Sequence, residues 1–154
     1  MALPLRLSVE YDEAPASAGL TVRLAVGVPS DLTFVEDAVD LVARHCLSGG
    51  LSPRRVRFHL RTALAEALAN AIVYGNRQDP TKLVDVRVEF GPEVVHVHVR
   101  DEGDGFDHAS LPDPTSPDRI SLDRGRGLFL IRHLVDELQF NDTGNALCMT
   151  LRRT

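Results

Sequence analysis

Hydrophobic and polar residues alternate along several parts of the chain, and this period of two predicts β-strands. The alternation covers residues 3–11, 20–26, 84–90 and 95–99, and a last apolar run covers 146–151. Gly91 and Pro92 separate two of these runs and predict a hairpin turn. Because each run has one apolar face, we expect a mixed, mostly antiparallel sheet that is covered on one face only.

Apolar residues spaced three and four apart predict about three helices between the strands. Asp31 is placed to cap the first helix, which we expect to end near residues 49–50. Ser52 is placed to cap a long second helix that runs to Gly75, and the third is expected over residues 127–138. Helices packed on one face of a sheet make an α+β fold, a two-layer α/β sandwich.

The length of 154 residues predicts a single domain over 1–154, with residues 1–19 as an N-terminal strand or hairpin extension. The net charge of −5 argues against a protein that binds nucleic acid directly. No apolar run approaches the roughly 20 residues of a membrane span. Without a cleavable signal pattern, the expected location is the cytoplasm, with no membrane partner.

Two pairs of residues, two cysteines and two histidines, are candidates for disulfide or metal chemistry. Cys46 and Cys148 both lie in apolar surroundings, which predicts small core residues rather than a disulfide. His96 and His98 share one strand face and could bind a metal ion. Since no third ligand is evident nearby in the sequence, a surface-facing pair is the favoured interpretation.

The long second helix carries a polar pair within the apolar stretch ALAEALANAIVYGN, residues 63–76. Glu66 and Asn70 are four residues apart, so they lie on one helix face. Exposure to solvent is the ordinary interpretation of such a pair. The alternative is chemical: an amide oxygen suits Mg²⁺ beside phosphate, and a carboxylate one turn earlier can take a proton from an attacking hydroxyl.

The stretch RDEGDGFD places Asp101 where a strand is expected to end, and Gly103 and Gly105 follow it. Glycines allow a tight turn and the close approach of a flat group. A carboxylate at this place can accept a hydrogen bond from the amino group of adenine, where guanine has a carbonyl. A plain acidic turn remains an alternative. A calcium loop is disfavoured because glycines occupy two of its ligand positions.

A third motif, DRGRGLFLIRHLVDEL, places Gly125 and Gly127 directly before the predicted third helix. A helix N-terminus attracts phosphate, and Arg124 and Arg126 add positive charge. The glycine spacing fits neither the dinucleotide fingerprint nor the Walker A motif, so a phosphate site here is of another kind. The irregular, proline-containing segment 107–124 fits a lid or binding loop.

Taken in this order, the three motifs resemble those of the GHKL ATPase superfamily with its Bergerat fold, over about residues 20–152. The amino-acid sequences of the three motifs look most like those of the bacterial anti-sigma-factor serine/threonine protein kinases. The resemblance implies a kinase that uses ATP and Mg²⁺ to phosphorylate a STAS-domain anti-anti-sigma protein, binds a sigma factor and forms a homodimer. The alternative is a non-catalytic ATP-binding regulatory module that gates partner binding.

The resemblance also implies roles at matched positions. Glu66 would be the general base, Asn70 the Mg²⁺ ligand and Asp101 the residue that binds the adenine amino group. The other implied nucleotide-binding residues are Gly103, Gly105, Arg124, Gly125, Arg126, Gly127, Leu128 and Thr150. The segment 107–124 would be the ATP lid, and Arg119, Arg124 and Arg126 compete as the arginine that contacts the terminal phosphate.

Overall fold

The structure, a computed structural model, describes residues 5–13, 20–105 and 123–154. One sheet of six strands has the order β1-β2-β3-β4-β6-β5. The strands are β1 (Arg6–Glu13), β2 (Leu20–Pro29), β3 (Leu83–Phe90), β4 (Val94–Arg100), β5 (Glu137–Phe140) and β6 (Ala146–Arg152). All described neighbours pair antiparallel, so the mostly antiparallel sheet predicted from alternation is confirmed without a parallel pair in these ranges.

Three helical runs cover one face of the sheet. The helices are α1 (Val35–Ser48), α2 (Pro53–Arg55), α3 (Arg61–Asn70) and α4 (Asp123–Leu134). The π-helical segment Val56–Leu60 joins α2 to α3, and a second π-helical segment, Ala71–Gly75, extends the run to Gly75. As predicted, Asp31 caps the turn before α1 by accepting the Thr33 amide at 2.9 Å, and the Ser52 hydroxyl accepts the Arg55 amide at 3.2 Å.

The hydrophobic core lies between the sheet and the helices. Every second residue of a strand points into it, as the burial of Val95, Val97 and Val99 along β4 shows. Leu64 and Leu68 of α3 are fully buried on the other side of the core. The two-layer α/β sandwich is thus confirmed. Within the described ranges, no helix is both long enough and apolar enough to cross a membrane.

Two expectations about the C-terminal part were wrong. The third helix begins at Asp123 and ends at Leu134, whereas residues 137–140 form strand β5 instead of its last turn. The hydrogen-bonded pairing of β5 with β6, with Leu138 opposite Met149, overrides the helical pattern. Cys148 is not a core residue, because the core-facing positions of β6 are taken by Leu147, Met149 and Leu151.

Candidate functional site

The polar pair of α3 lies where α4 packs against it. A Cβ atom added to Gly127 would lie 2.9 Å from Oε2 of Glu66 and 3.3 Å from Nδ2 of Asn70. A side chain at position 127 would therefore crowd both groups, and the glycine lets the α4 backbone approach them closely. The structure thus brings Glu66, Asn70 and Gly127 together. Asn70 does not face solvent, since it is only 8% exposed.

The side-chain nitrogen of Asn70, Nδ2, is buried and has no hydrogen-bond partner among the described residues. An unpaired buried amide costs about 1–3 kcal/mol, so its retention at this place requires a reason. Rotation of the amide by half a turn exchanges its nitrogen and its oxygen, because the two are not distinguished by shape. The group is therefore suited to meet a bound ion or ligand with either atom.

Asp101 is fixed directly after the last residue of β4. Its backbone amide donates to the carbonyl of Asn145 at 2.9 Å, and its Oδ1 accepts the amide of Gly103 at 2.8 Å. The side chain is 6% exposed. A Cβ atom at Gly75 would overlap the Asp101 carboxylate, so the end of the long helical run packs directly on this group. The predicted place of Asp101 at the strand end is confirmed.

The two glycines after Asp101 are required for different structural reasons. Gly105 has a φ of 82°, a left-handed conformation that favours glycine, and a Cβ there would overlap the Thr143 carbonyl. A Cβ at Gly103 would overlap the carbonyl oxygen of Gly75. The tight turn predicted from these glycines is confirmed, and its cause is the close approach of the helix end and of the segment before β6.

Two asparagines that the sequence analysis missed hold this turn in place. The Asn76 Oδ1 accepts the Glu102 amide at 2.7 Å, and its Nδ2 donates to the Ser30 hydroxyl at 3.0 Å. The Nδ2 of Asn145 donates to the carbonyl of Gly103 at 3.3 Å. The sequence carries only a weak signal for Asn76, which directly follows Gly75 in the polar-pair motif.

The Asn70 amide and the Asp101 carboxylate border the same cleft. Asn70 and Asp101 both line it, together with Leu128 of α4. Its other lining residues are Ala67, Ala71, Val99, Phe140, Gly144, Asn145, Ala146 and Leu147. The lining is therefore mostly apolar, with the Asp101 carboxylate and the Asn70 amide among its polar groups. The space enclosed by the described residues is small, about 20 Å³, so a flat ring enters only when the lining side chains move apart.

Several predicted residues lie elsewhere. Thr150 is on the face of the sheet turned away from the helices, where its Oγ1 lies 2.9 Å from Nδ1 of His96, so the structure does not bring it to the cleft. Gly125 and Gly127 lie inside the first two turns of α4 rather than before it. The first four amides of a helix lack partners within it, so the amide of Gly125 has no partner inside α4.

The arginines of the third motif contribute less to the described geometry. Arg126 is exposed at the start of α4. The side chain of Arg124 and the predicted lid segment, apart from the first backbone positions of α4, lie outside the described residues, as does Arg119.

Comparison with known proteins agrees with the geometry. The family described as the histidine kinase-like ATPase domain matches residues 28–151. The chain is 35% identical over 81 residues to the anti-sigma F factor of Geobacillus stearothermophilus, covering 51% of this chain and 56% of that protein. It is 31% identical over 99 residues to the serine-protein kinase RsbW of Bacillus subtilis, covering 59% and 61%. The aligned region thus spans less than two thirds of these relatives.

Proposed function

The chain belongs to the histidine kinase-like ATPase domain family, and from this premise we propose that it is an ATP-dependent protein serine kinase that acts as an anti-sigma factor. The observation that carries the proposal is that Asn70 and Asp101 line one cleft in the described part of the chain, while Glu66 and Asn70 both lie against Gly127 of α4. The names of the relatives, an anti-sigma factor and a serine-protein kinase, support it.

The partners belong to the same proposal. The protein would bind a sigma factor and phosphorylate a serine of a STAS-domain anti-anti-sigma protein, as a homodimer in the cytoplasm. The sequence resemblance supports these partners.

The residues of the cleft fit a nucleotide with Mg²⁺. The Asp101 carboxylate would accept a hydrogen bond from the adenine amino group, and Gly103 and Gly105 would let the ring approach. Asn70 would hold Mg²⁺ through its amide oxygen. Its Nδ2 has no hydrogen-bond partner among the described residues, so no described bond there holds the amide in one of its two orientations. The amides at the start of α4, including that of Gly125, would donate to phosphate oxygens. ATP would supply the phosphoryl group, and Mg²⁺ would offset the charge of its phosphates.

Glu66 would be the general base of the reaction. As the serine oxygen of the partner protein forms its bond to phosphorus, the Glu66 carboxylate would take the hydroxyl proton. The carboxylate lies one helical turn before Asn70, and its Oε2 is directed toward the α4 backbone at Gly127. A base next to the group that would hold the metal suits removal of a proton at the reacting phosphate, and this supports the proposed role of Glu66.

The substitution Glu66→Gln tests the kinase proposal. Glutamine keeps the size of the side chain and removes its ability to take a proton. We expect phosphoryl transfer to a STAS-domain protein to fall by roughly 10²–10⁴-fold, the usual contribution of a general base. ATP affinity, measured by titration calorimetry with Mg²⁺, should stay within about twofold of the unsubstituted value. The control is Glu93→Gln, which changes an exposed glutamate in the turn between β3 and β4.

Two results would contradict parts of the proposal. Equal transfer rates for Glu66→Gln and the unsubstituted protein would remove Glu66 as the base. Mg²⁺-dependent ATP binding without transfer to any STAS-domain protein would replace the kinase by a regulatory module that gates partner binding.

A further inference from the structure

The face of the sheet turned away from the helices carries a compact group of metal-binding side chains. His96 and His98 project from β4, and Cys148 projects from the neighbouring strand β6, directly opposite His98. On the other side of β4, Glu89 of β3 lies opposite His96. The strand alternation that buries the core residues places all four on this open face. The cleft of the proposed kinase lies on the opposite side of the sheet.

The distances within this group are close to those of a metal site. The Sγ of Cys148 lies 3.9 Å from Nε2 of His98 and 4.0 Å from Nδ1 of His96. The Nε2 of His98 lies 3.6 Å from Oε1 of Glu89. With zinc–sulfur bonds of about 2.3 Å and zinc–nitrogen bonds of about 2.05 Å, tetrahedral geometry places sulfur and nitrogen about 3.5 Å apart. The observed separations exceed this value by only a few tenths of an ångström.

We propose that His96, His98 and Cys148 bind Zn²⁺ or a closely similar divalent transition-metal ion on the open face of the sheet. Two imidazoles and one thiolate are ligands that zinc prefers, and the fourth position would be taken by Glu89 or by water. Two histidines at positions i and i+2 of one strand provide adjacent ligands, and a third ligand from the next strand closes the site.

Ion binding requires a modest closure of the side chains. As the side chains stand, no group of three or more His, Cys, Asp or Glu residues in the described ranges could hold a metal ion, so binding depends on their rearrangement. The two imidazole centroids are 6.4 Å apart, whereas tetrahedral coordination brings them to about 5 Å. His96 would also give up its contact of 2.9 Å with Thr150. His98 is 41% exposed, so rotation of its ring is not blocked by core packing.

Metal binding would change the charge of the cysteine ligand. It would form a bond between the metal and the Sγ of Cys148 and release the thiol proton to solvent. The nearby Arg87 pairs with Asp85 at 2.9 Å, which offsets its repulsion of a cation.

The test is a titration of the whole chain with Co²⁺, followed by competition with Zn²⁺. We expect one ion per chain and an absorption band from thiolate-to-cobalt charge transfer that Zn²⁺ abolishes. Cys148→Ala should lose this band although Cys46 remains in the protein. His96→Ala and His98→Ala should each weaken Zn²⁺ binding by about tenfold or more. The control His133→Ala, which removes an exposed histidine of α4, should leave it unchanged.

A second measurement needs no substitution. Zn²⁺ should protect Cys148 of the unsubstituted protein from iodoacetamide, as read by mass spectrometry of the peptide that contains it. The proposal is overturned if no ion binds at one per chain, if the Cys148→Ala protein retains the charge-transfer band, or if Zn²⁺ leaves the alkylation rate of Cys148 unchanged. Because neither readout involves ATP, these outcomes are independent of the kinase proposal.

Discussion

The substitution Asp101→Asn tests whether this carboxylate selects adenine. In the structure, Oδ1 of Asp101 accepts the Gly103 amide at 2.8 Å, and the side chain is 6% exposed. Asparagine has the same size, and its carbonyl oxygen can keep the bond to Gly103. Its second group is then an NH₂, which donates a hydrogen bond where the carboxylate accepts one. An adenine amino group would meet a donor in place of an acceptor.

The expected loss follows from the strength of this bond. A hydrogen bond to a charged group contributes about 1.5–3 kcal/mol. Since about 1.4 kcal/mol corresponds to a factor of ten, ATP affinity should fall by about 10- to 150-fold. GTP should lose less or gain, because an NH₂ can donate to the guanine carbonyl. Thermal unfolding should change little, because the bond to the Gly103 amide is kept.

Titration calorimetry with ATP and with GTP, each with and without Mg²⁺, measures these quantities. Asp104→Asn is a matched control, because it changes an exposed aspartate of the same loop by the same atoms. An Asp101→Asn protein that is folded like the original and binds ATP within twofold of it would refute the assignment of Asp101 to the adenine amino group.

Three further predictions concern packing and stability. Gly127→Ala should weaken ATP binding and lower the free energy of unfolding by about 1–3 kcal/mol, the usual cost of overpacking, because its Cβ would lie 2.9 Å from Glu66 and 3.3 Å from Asn70. Ser52→Ala should lower the free energy of unfolding by about 1 kcal/mol, through the lost helix cap, and the melting temperature by about 2–4 °C. Burial raises the pKa of Cys46 from 9.0 to about 12. Below pH 9 the thiol is protonated in both states, and between about pH 9 and 12 the unfolded chain ionises first, so the free energy of unfolding should decline there.

Each of the three has a control and a result that contradicts it. Gly27→Ala, whose Cβ would make only ordinary contacts, should leave ATP binding unchanged, and equal affinity for Gly127→Ala would contradict the packing argument. Ser48→Ala, at the exposed end of α1, should not lower the melting temperature. A decrease in melting temperature as large as that of Ser52→Ala would contradict the stabilising role of the Ser52 cap. In urea denaturation, the alkaline decline should be smaller for Cys46→Ala; an identical decline would exclude the thiol as its source.

The sequence was sufficient where structure depends on neighbours along the chain. The cap at Ser52 and the helix end at Gly75 involve residues a few positions apart, and the motif residues supply both. The strand alternation predicted the sheet and its single covered face. The alternation also determines the direction of Thr150: because Met149 faces the core, Thr150 must face away from it. The expected role of Thr150 at the nucleotide was therefore at odds with its own strand.

Other features depend on residues far apart in the chain. The hydrogen bond of Asn76 to Glu102 joins residues 26 positions apart, and that of Asn145 to Gly103 joins residues 42 positions apart. A single sequence gives no sign of such pairs. The same holds for the position of β6 between β4 and β5, which is decided by hydrogen bonding across the sheet. The four-residue β5 is also too short for its alternation to override a helical pattern.

The alternation of β4 has a mechanical consequence. The helix-facing side of the sheet receives Val95, Val97, Val99 and Asp101, and the opposite side receives His96 and His98. The same stretch of backbone therefore positions side chains on both sides of the sheet. His98 and Asp101 are three residues apart, about 10 Å along the strand. A displacement of β4 relative to β6 therefore moves His98 and Asp101 together. If an ion at His98 shifts the affinity of the cleft for its ligand, thermodynamic linkage requires the ligand to shift the affinity for the ion by the same factor.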